Sequence, residues 1–352
     1  MIDLLLQYGL FLAKAATVVI AALIVIVAIS NIGQRRRPSD EGDIDVSYLN
    51  DRLEEYGDVL REAVLDKHAL KSYFKHEKQA GKKKDKEQKV KSEKHDQTRK
   101  ARVYVINFHG DIRASAVESL RREITAILTL ADAEHDEIVV NLESPGGMVH
   151  SYGLAASQLS RIRQHKLPLT ICVDKVAASG GYMMACIGNR ILAAPFAVVG
   201  SIGVVAQMPN IHRLLKKHDI DVELHTAGEY KRTLTVIGEN TEAGRQKFRE
   251  ELEDTHALFK EFVHEQRPSL DMSRVATGEH WYGQRALALG LIDELKTSDE
   301  YLVERAQEAD VYVVRYVQKH KLMSRLGLAA EGSIDRLALR WWDRLQQQRP
   351  WG

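Results

Sequence analysis

The stretch Asp174–Val205 reads DKVAASGGYMMACIGNRILAAPFAVVGSIGVV and holds two serines, Ser179 and Ser201, among small and apolar residues. Ser179 follows two alanines and precedes two glycines, so few neighbouring side chains would crowd its hydroxyl. An apolar run then leads to Ser201. The pattern predicts a strand-to-helix turn at Ser179, which is a position that suits a nucleophile.

Strands and helices alternate around this stretch. Apolar runs predict strands at VYVINF, EIVVNL and PLTICV, and helical spacing predicts helices at Ala114–Leu130 and Met148–Arg163. The alternation indicates βαβ units, and therefore an α/β fold with a parallel sheet. Further elements are predicted as short strands at RILAA, IGVVAQ, VELHT and VYVVRYV and as a long helix from Thr241 to about Gln266.

Two glycine pairs end predicted strands, Gly146-Gly147 in NLESPGGMV and Gly180-Gly181 in AASGGYM. In an α/β sheet, ligands bind where strand ends meet helix starts. Glycine lets backbone N–H groups approach a ligand closely. One N–H group from each turn could hold the oxyanion that develops when a nucleophile attacks a carbonyl. Tight turns use glycine widely, so the serine beside the second pair is what gives the two pairs weight.

A serine nucleophile needs a group that removes its proton, and no histidine of this chain stands in a sequence that indicates a catalytic triad. The histidines considered are His109, His150, His165, His212, His218 and His225. A lysine serves instead when burial keeps its amine neutral. Lys231 in HTAGEYKRTLTVIGENT follows a predicted strand and is expected to be embedded among Tyr230, Leu234, Val236 and Ile237, although a lysine ordinarily lies at the surface.

Residues 1–33 are predicted to be an N-terminal transmembrane anchor. Leu10–Ile32 is apolar apart from Lys14, and as a helix this run would be about 35 Å long, enough to cross a bilayer. A cleaved signal peptide is the alternative. It is disfavoured because the apolar run is long and the start of the chain lacks a basic cluster.

Two further segments flank residues 102–300, the predicted catalytic domain. Residues 34–101 are a charged, lysine-rich linker region with a helical part; from residue 67 to residue 100 they hold 13 Lys or Arg against 5 Asp or Glu. This linker is either a solvated tether or a surface for anionic lipid. Residues 301–352 hold a strand and an amphipathic basic helix with tryptophans, which packs on the body or a sister subunit or lies at a membrane interface.

Overall composition narrows the function. The chain has 352 residues, of which 44% are hydrophobic, so it can bury a sizeable core. Its net charge of +1 argues against nucleic acid as a partner. Cys172 and Cys186 stand in apolar surroundings and are predicted core residues, too few for a disulfide scaffold. No metal and no cofactor is predicted.

In series, the motifs SPGG, ASGGY, PFAVVGSIGV and GEYK resemble those of the signal peptide peptidase A family, which uses a Ser–Lys dyad; the resemblance covers about Arg102 to Leu295. It implies a crotonase/ClpP-like fold with a parallel sheet and flanking helices, here preceded by one transmembrane helix. It also implies a ring-like homo-oligomer in the bacterial inner membrane that hydrolyses peptide bonds in membrane-associated or signal-peptide-like substrates. The family favours a periplasmic body, whereas Arg35–Arg37 after the span favour a cytoplasmic one.

Within this resemblance, Ser179 matches the nucleophile, Lys231 the general base, and Ser201 the serine that orients the lysine amine. The oxyanion donors match Gly147 and Gly180, and their supporting glycines match Gly146 and Gly181. The chain is a single-unit version, about half the tandem form of some relatives, so the dyad lies within one chain or across a subunit boundary. Two alternatives stay open: a crotonase-like acyl-CoA enzyme and a catalytically silent membrane scaffold.

Overall fold

The computed structural model describes residues 42–75 and 100–318. The predicted transmembrane anchor, most of the lysine-rich part of the linker and the amphipathic C-terminal helix lie outside these residues. In the part of the chain that is described, no helix is long and apolar enough to cross a membrane. Residues Ile44–Tyr316 form one compact unit.

Strands are numbered here in chain order over the described residues. They are β1 (Asp43–Tyr48), β2 (Arg102–His109), β3 (Asp136–Glu143), β4 (Leu169–Val173), β5 (Val176–Ala178), β6 (Arg190–Ala193), β7 (Val198–Gly200), β8 (His280–Tyr282), β9 (Glu294–Leu295) and β10 (Asp310–Val317).

Helices are numbered in the same way, and residues 67–75 are helical as well. They are α1 (Leu49–Val64), α2 (Val117–Leu128), α3 (Val149–Gln164), α4 (Gly180–Ala185), α5 (His212–Lys217), α6 (Glu242–Gln266), α7 (Met272–Val275), α8 (Gly283–Ala288) and α9 (Ser298–Glu308).

The strands form a large and a small sheet. Seven strands lie in the order β1-β10-β2-β3-β4-β6-β9, and the pairs from β10 to β9 are parallel. The small sheet has the order β5-β7-β8, with β5 and β7 parallel and β7 and β8 antiparallel. The predicted α/β class with a mainly parallel sheet is confirmed.

Both faces of the large sheet are covered, which explains why its central strands read as continuous apolar runs. On β2, Ile106 and Phe108 point to the face covered by α2 and α3, while Val103 and Val105 point to the face covered by α9. Cys172 and Cys186 are buried free thiols, as predicted. Burial raises the pKa of both thiols, that of Cys186 to about 12, so they stay protonated and pack as small apolar groups.

Two predicted strands are wrong. IGVVAQ and VELHT have no regular secondary structure, and Val205 and Leu224 within them are exposed. An alternating apolar pattern forms a strand only where a neighbouring strand can take its backbone hydrogen bonds. The small sheet near this region is built from β5, β7 and β8, which have three residues each. Three residues are too few for a periodic apolar pattern to predict a strand.

Candidate active site

Ser179 occupies a tight turn between β5 and α4. Its φ of 53° and ψ of −118° form a backbone conformation that residues other than glycine seldom adopt. The Ser179 N–H donates to the Gly200 carbonyl at 2.7 Å, and the Ser179 carbonyl accepts from the Met183 N–H at 3.0 Å. The predicted strand-to-helix turn is therefore present, and it holds the serine in a strained conformation of the kind that concentrates at functional sites.

Ser201 lies beside Ser179 because of the register between β5 and β7. Ala178 is paired with Gly200 in two parallel strands, so the two serines follow at the same end of the small sheet. Ser201 also has a positive φ, 52°. Its N–H donates to the Glu279 carbonyl at 2.7 Å, whereas its hydroxyl lies 3.5 Å from the Gly278 carbonyl, a distance at which little hydrogen bonding remains.

The first glycine pair packs directly against the Ser179 turn. Gly146 has a φ of 89°, and a Cβ added to it would lie only 2.7 Å from the Ser179 Cβ. A Cβ added to Gly147 would lie 2.1 Å from the Ile112 carbonyl oxygen. Both positions therefore exclude a side chain, and the close approach brings the two predicted turns together.

The second glycine pair lets α4 begin against α3 and the end of β3. A Cβ on Gly180 would lie 2.4 Å from Cγ of Tyr152, and one on Gly181 would lie 2.5 Å from the Ser144 carbonyl oxygen. Among the described residues, neither the Gly147 N–H nor the Gly180 N–H has a hydrogen-bond acceptor. Two backbone donors thus stand unused beside the Ser179 hydroxyl.

A small cavity of about 20 Å³ adjoins Ser179. Its walls carry aliphatic, aromatic and small residues and, among the described residues, no ionisable side chain; they are Gly147, Val149, Ser179, Gly180, Met183, Gly203, Val204, Thr255 and Phe259. A space of this size holds about one water or one methyl group. A carbonyl bound at Ser179 would therefore sit in largely apolar surroundings, where fixed N–H dipoles act strongly.

Lys231 is not buried in the single chain. It lies in an irregular segment, its side chain is exposed, and within the described residues its amine bonds to neither Ser179 nor Ser201. The predicted apolar surroundings are wrong for this state, because Tyr230, Val236 and Ile237 are themselves exposed. Neighbours in sequence bury a side chain only where another element packs over the segment.

Four residues at this site were not predicted from the sequence. Tyr152 and Ser144 lie beneath the glycine turns, and Thr255 and Phe259 of α6 line the cavity. The sequence does predict the helices that carry Tyr152, Thr255 and Phe259. Its pattern gives no signal of which helix faces the Ser179 turn, since that depends on contacts between residues distant in the chain.

Comparison with known proteins identifies the family. Residues 3–159 match the peptidase family S49 N-terminal region, and residues 161–312 match peptidase family S49. The chain is 50% identical over 334 residues to "Probable protease SohB" of Haemophilus influenzae, covering 94% of each protein. It is 44% identical over 338 residues to "Probable protease SohB" of Buchnera aphidicola subsp. Acyrthosiphon pisum, covering 96% of this chain and 97% of the relative.

A solved structure, the 1510-N membrane-bound stomatin-specific protease, aligns with 59% of this chain and 85% of its own at a TM-score of 0.39 and 16% identity, too distant to inform individual residues. The family expected from the SPGG, ASGGY and GEYK motifs is confirmed by the sequence relatives. Since both parts of the chain match one family and the similarity to proteins named as proteases spans nearly its whole length, this chain belongs to peptidase family S49 and is a peptidase.

Proposed function

We propose that the chain is a membrane-anchored serine endopeptidase whose nucleophile is Ser179 and whose general base is Lys231. The observation that carries the proposal is the packing of Gly146 against Ser179, which puts two unused backbone donors beside a serine in a strained turn. This arrangement suits attack on a carbonyl, because the donors can bind the oxygen as it becomes negative.

The reaction is an acyl transfer in two stages. The Lys231 amine takes the proton of the Ser179 hydroxyl, and the oxygen attacks the peptide carbonyl. The N–H groups of Gly147 and Gly180 hold the resulting oxyanion. The peptide C–N bond breaks, the lysine returns the proton to the leaving amine, and water then hydrolyses the acyl-enzyme by the same route.

The base role of Lys231 requires a second component that covers the amine. A lysine accepts a proton only when it is neutral, and desolvation is what favours the neutral form. The exposed apolar side chains of Tyr230, Val236 and Ile237 offer a surface that another copy of the chain could cover. A ring-like homo-oligomer, with Ser201 orienting the amine, is therefore part of the proposal.

Substrates and location follow the same proposal. Leu10–Ile32 would hold the peptidase at the bacterial inner membrane, close to membrane-associated or signal-peptide-like chains. The small cavity beside Ser179 favours small or aliphatic side chains near the cleaved bond. No observation favours the acyl-CoA alternative, which needs an acidic base, since no carboxylate among the described residues lines the cavity.

The test uses the full-length protein, purified in detergent, with a fluorogenic peptide and a fluorophosphonate probe. Ser179→Ala should abolish both turnover and labelling while leaving the melting temperature close to that of the wild type. Lys231→Arg should be as inactive as Lys231→Ala, because a guanidinium stays protonated and cannot act as a base. Wild-type turnover in Ser179→Ala would refute the nucleophile, and near-normal turnover in Lys231→Arg would refute the base.

The same probe separates the peptidase from a silent scaffold. A scaffold of the same shape would neither hydrolyse the peptide nor take up the probe at Ser179. Labelling that requires Ser179 together with peptide turnover excludes that alternative.

A further inference from the structure

A chain of buried hydrogen bonds lies directly beneath the catalytic turns. The Gly146 N–H donates to the Ser144 Oγ at 3.1 Å, the Ser144 and Tyr152 hydroxyl oxygens are 2.5 Å apart, and the Tyr152 hydroxyl donates to the Asp111 carbonyl at 2.7 Å. Ser144 and Tyr152 are both fully buried. Three separate segments of the chain are therefore joined by two hydroxyl groups.

The direction of every bond in this chain is fixed. A carbonyl only accepts, so the single Tyr152 hydroxyl proton points to Asp111. The Ser144 proton must then point to the Tyr152 oxygen, which leaves a lone pair of Ser144 for the Gly146 N–H. Burial raises the pKa of Tyr152, so its hydroxyl keeps its proton and remains a donor.

This chain of hydrogen bonds anchors the backbone just before Gly147, and a backbone hydrogen bond anchors it just after Gly147. The Met148 N–H donates to the Ile112 carbonyl at 2.8 Å, and the Gly146 N–H is bound to Ser144. The Gly147 N–H lies between these two anchored groups. Its direction is therefore set by its neighbours and not by a bond of its own.

The ring of Tyr152 sets the position of the second donor. Its Cγ would be 2.4 Å from a Cβ on Gly180, so the ring lies against the backbone that carries the Gly180 N–H. The hydroxyl end of the same side chain is equally confined, because a Cβ on Gly110 would lie 2.5 Å from the Tyr152 oxygen. One side chain thus touches the supports of both donors.

We propose that Tyr152, acting with Ser144, is a positioning residue that aligns the Gly147 and Gly180 N–H groups for the oxyanion. The inference rests on the proposed function, in which these two groups bind the substrate oxygen. Tyr152 itself lies beneath the glycines and touches no substrate. Its contribution is therefore realised in the transition state, where donors 2.7–3.1 Å from the oxyanion are needed.

The test is Tyr152→Phe in the full-length protein in detergent, assayed with a fluorogenic peptide that carries alanine and leucine around the cleaved bond. Active sites are titrated to completion with a fluorophosphonate, so that turnover is counted per folded site. The aromatic ring at position 152 stays against Gly180, while the chain of hydrogen bonds from Gly146 to Asp111 is broken. We expect kcat to fall about 10-fold or more with KM little changed, since complete loss of one donor costs about 10²–10³-fold.

Tyr182→Phe is the matched control. Tyr182, which follows Gly181 in α4, is also a fully buried tyrosine, and its hydroxyl donates to the Leu291 carbonyl at 2.9 Å instead of to the hydrogen bonds around Gly146. Each variant loses one buried bond to a backbone carbonyl, and Tyr152→Phe also loses the bond from Ser144, so Tyr152→Phe should lower the melting temperature at least as much as Tyr182→Phe. Only Tyr152→Phe should lower kcat per titrated site.

Ser144→Ala is a second test in case Tyr152→Phe folds poorly. This substitution breaks the same chain of hydrogen bonds and leaves the ring of Tyr152 in place. The double variant Ser144→Ala/Tyr152→Phe should lose no more activity than the less active single variant, since both changes break the same chain of hydrogen bonds. Fold-losses that multiply would refute a single network. Wild-type kcat per site in both single variants would refute the positioning role.

These outcomes differ from those that bear on the proposed function. Peptide turnover that survives Ser179→Ala overturns the proposed function itself. Turnover that is lost in Ser179→Ala and retained in Tyr152→Phe and Ser144→Ala overturns only the positioning role.

Discussion

The close packing of Gly146 against Ser179 gives a quantitative prediction for Gly146→Ala. The added Cβ would lie 2.7 Å from the Ser179 Cβ and 2.8 Å from the Gly180 nitrogen. Unstrained carbon contacts begin at about 3.5 Å, so the turn or Ser179 must move by about 1 Å. A displacement of that size at a reacting group costs about 10²-fold in rate, and we expect kcat to fall by about that factor.

Gly146→Ala should also destabilise the fold. An alanine with a φ of 89° costs about 1–2 kcal/mol, and overpacking a tight contact adds about 1–3 kcal/mol, which gives a loss of about 2–5 kcal/mol. At about 2–4 °C per kcal/mol for a domain of this size, the melting temperature should fall by about 4–20 °C. Calorimetry and peptide turnover on the same preparation measure both effects.

Gly153→Ala is the control for this substitution. Gly153 lies inside α3, and an added Cβ there would meet no atom within 4 Å. Alanine is the better helix former, so this variant should be stabilised by about 1 kcal/mol and keep its activity. Wild-type kcat in Gly146→Ala, measured at a temperature where the variant is folded, would mean that the glycine turn does not approach Ser179 in the working enzyme.

Two predictions concern regions outside the Ser179 turn. Burial alone would raise the pKa of Asp293, but the hydrogen bonds from Arg267 and from the Ile191 N–H hold this pKa below its ordinary value. The stability that the carboxylate contributes is therefore present at neutral pH and is lost as the pH falls through the lowered pKa. Asp293→Asn should therefore lower the free energy of unfolding by about 1 kcal/mol in urea titrations at about pH 7, and this effect should shrink as the pH falls through the lowered pKa of Asp293; a loss that does not change with pH would contradict this assignment. For the N-terminal run Leu10–Ile32, membranes washed with alkaline carbonate should retain the intact chain, whereas its release without detergent would show that the run is not an anchor.

The sequence predicts the central strands well for a physical reason. β2, β3 and β4 are buried on both faces, so each appears as an uninterrupted apolar run that needs no knowledge of its neighbours. β5 and β7 are strands because their backbones pair with each other, and β7 also pairs with β8. The same pairing places Ser201 beside Ser179, and neither residue type nor spacing states that register.

The Ser179 turn can be predicted from the sequence for a similar reason, whereas the rest of the site cannot. Ser179 and its glycines have requirements that are local, namely a positive φ and the absence of side chains. Tyr152 acts through a partner 8 residues away and another 41 residues away, so its sequence context indicates only a buried helix position. The exposure of Lys231 likewise depends on what packs over its segment, which no run of residues around it encodes.

The strand order has a consequence for how the chain is made. β10, the last strand among the described residues, lies between β1 and β2, and the Tyr48 hydroxyl donates to Asp310, 262 residues away in sequence. At ~5–20 residues per second, a ribosome needs roughly 10–40 s to add β10 after β2 has been made. Throughout that interval the apolar edge of β2 is open to pairing with any other extended chain. The edge of β2 is covered only after β10 has been made, so the Ser179 segment is already synthesised while that edge still needs protection from aggregation.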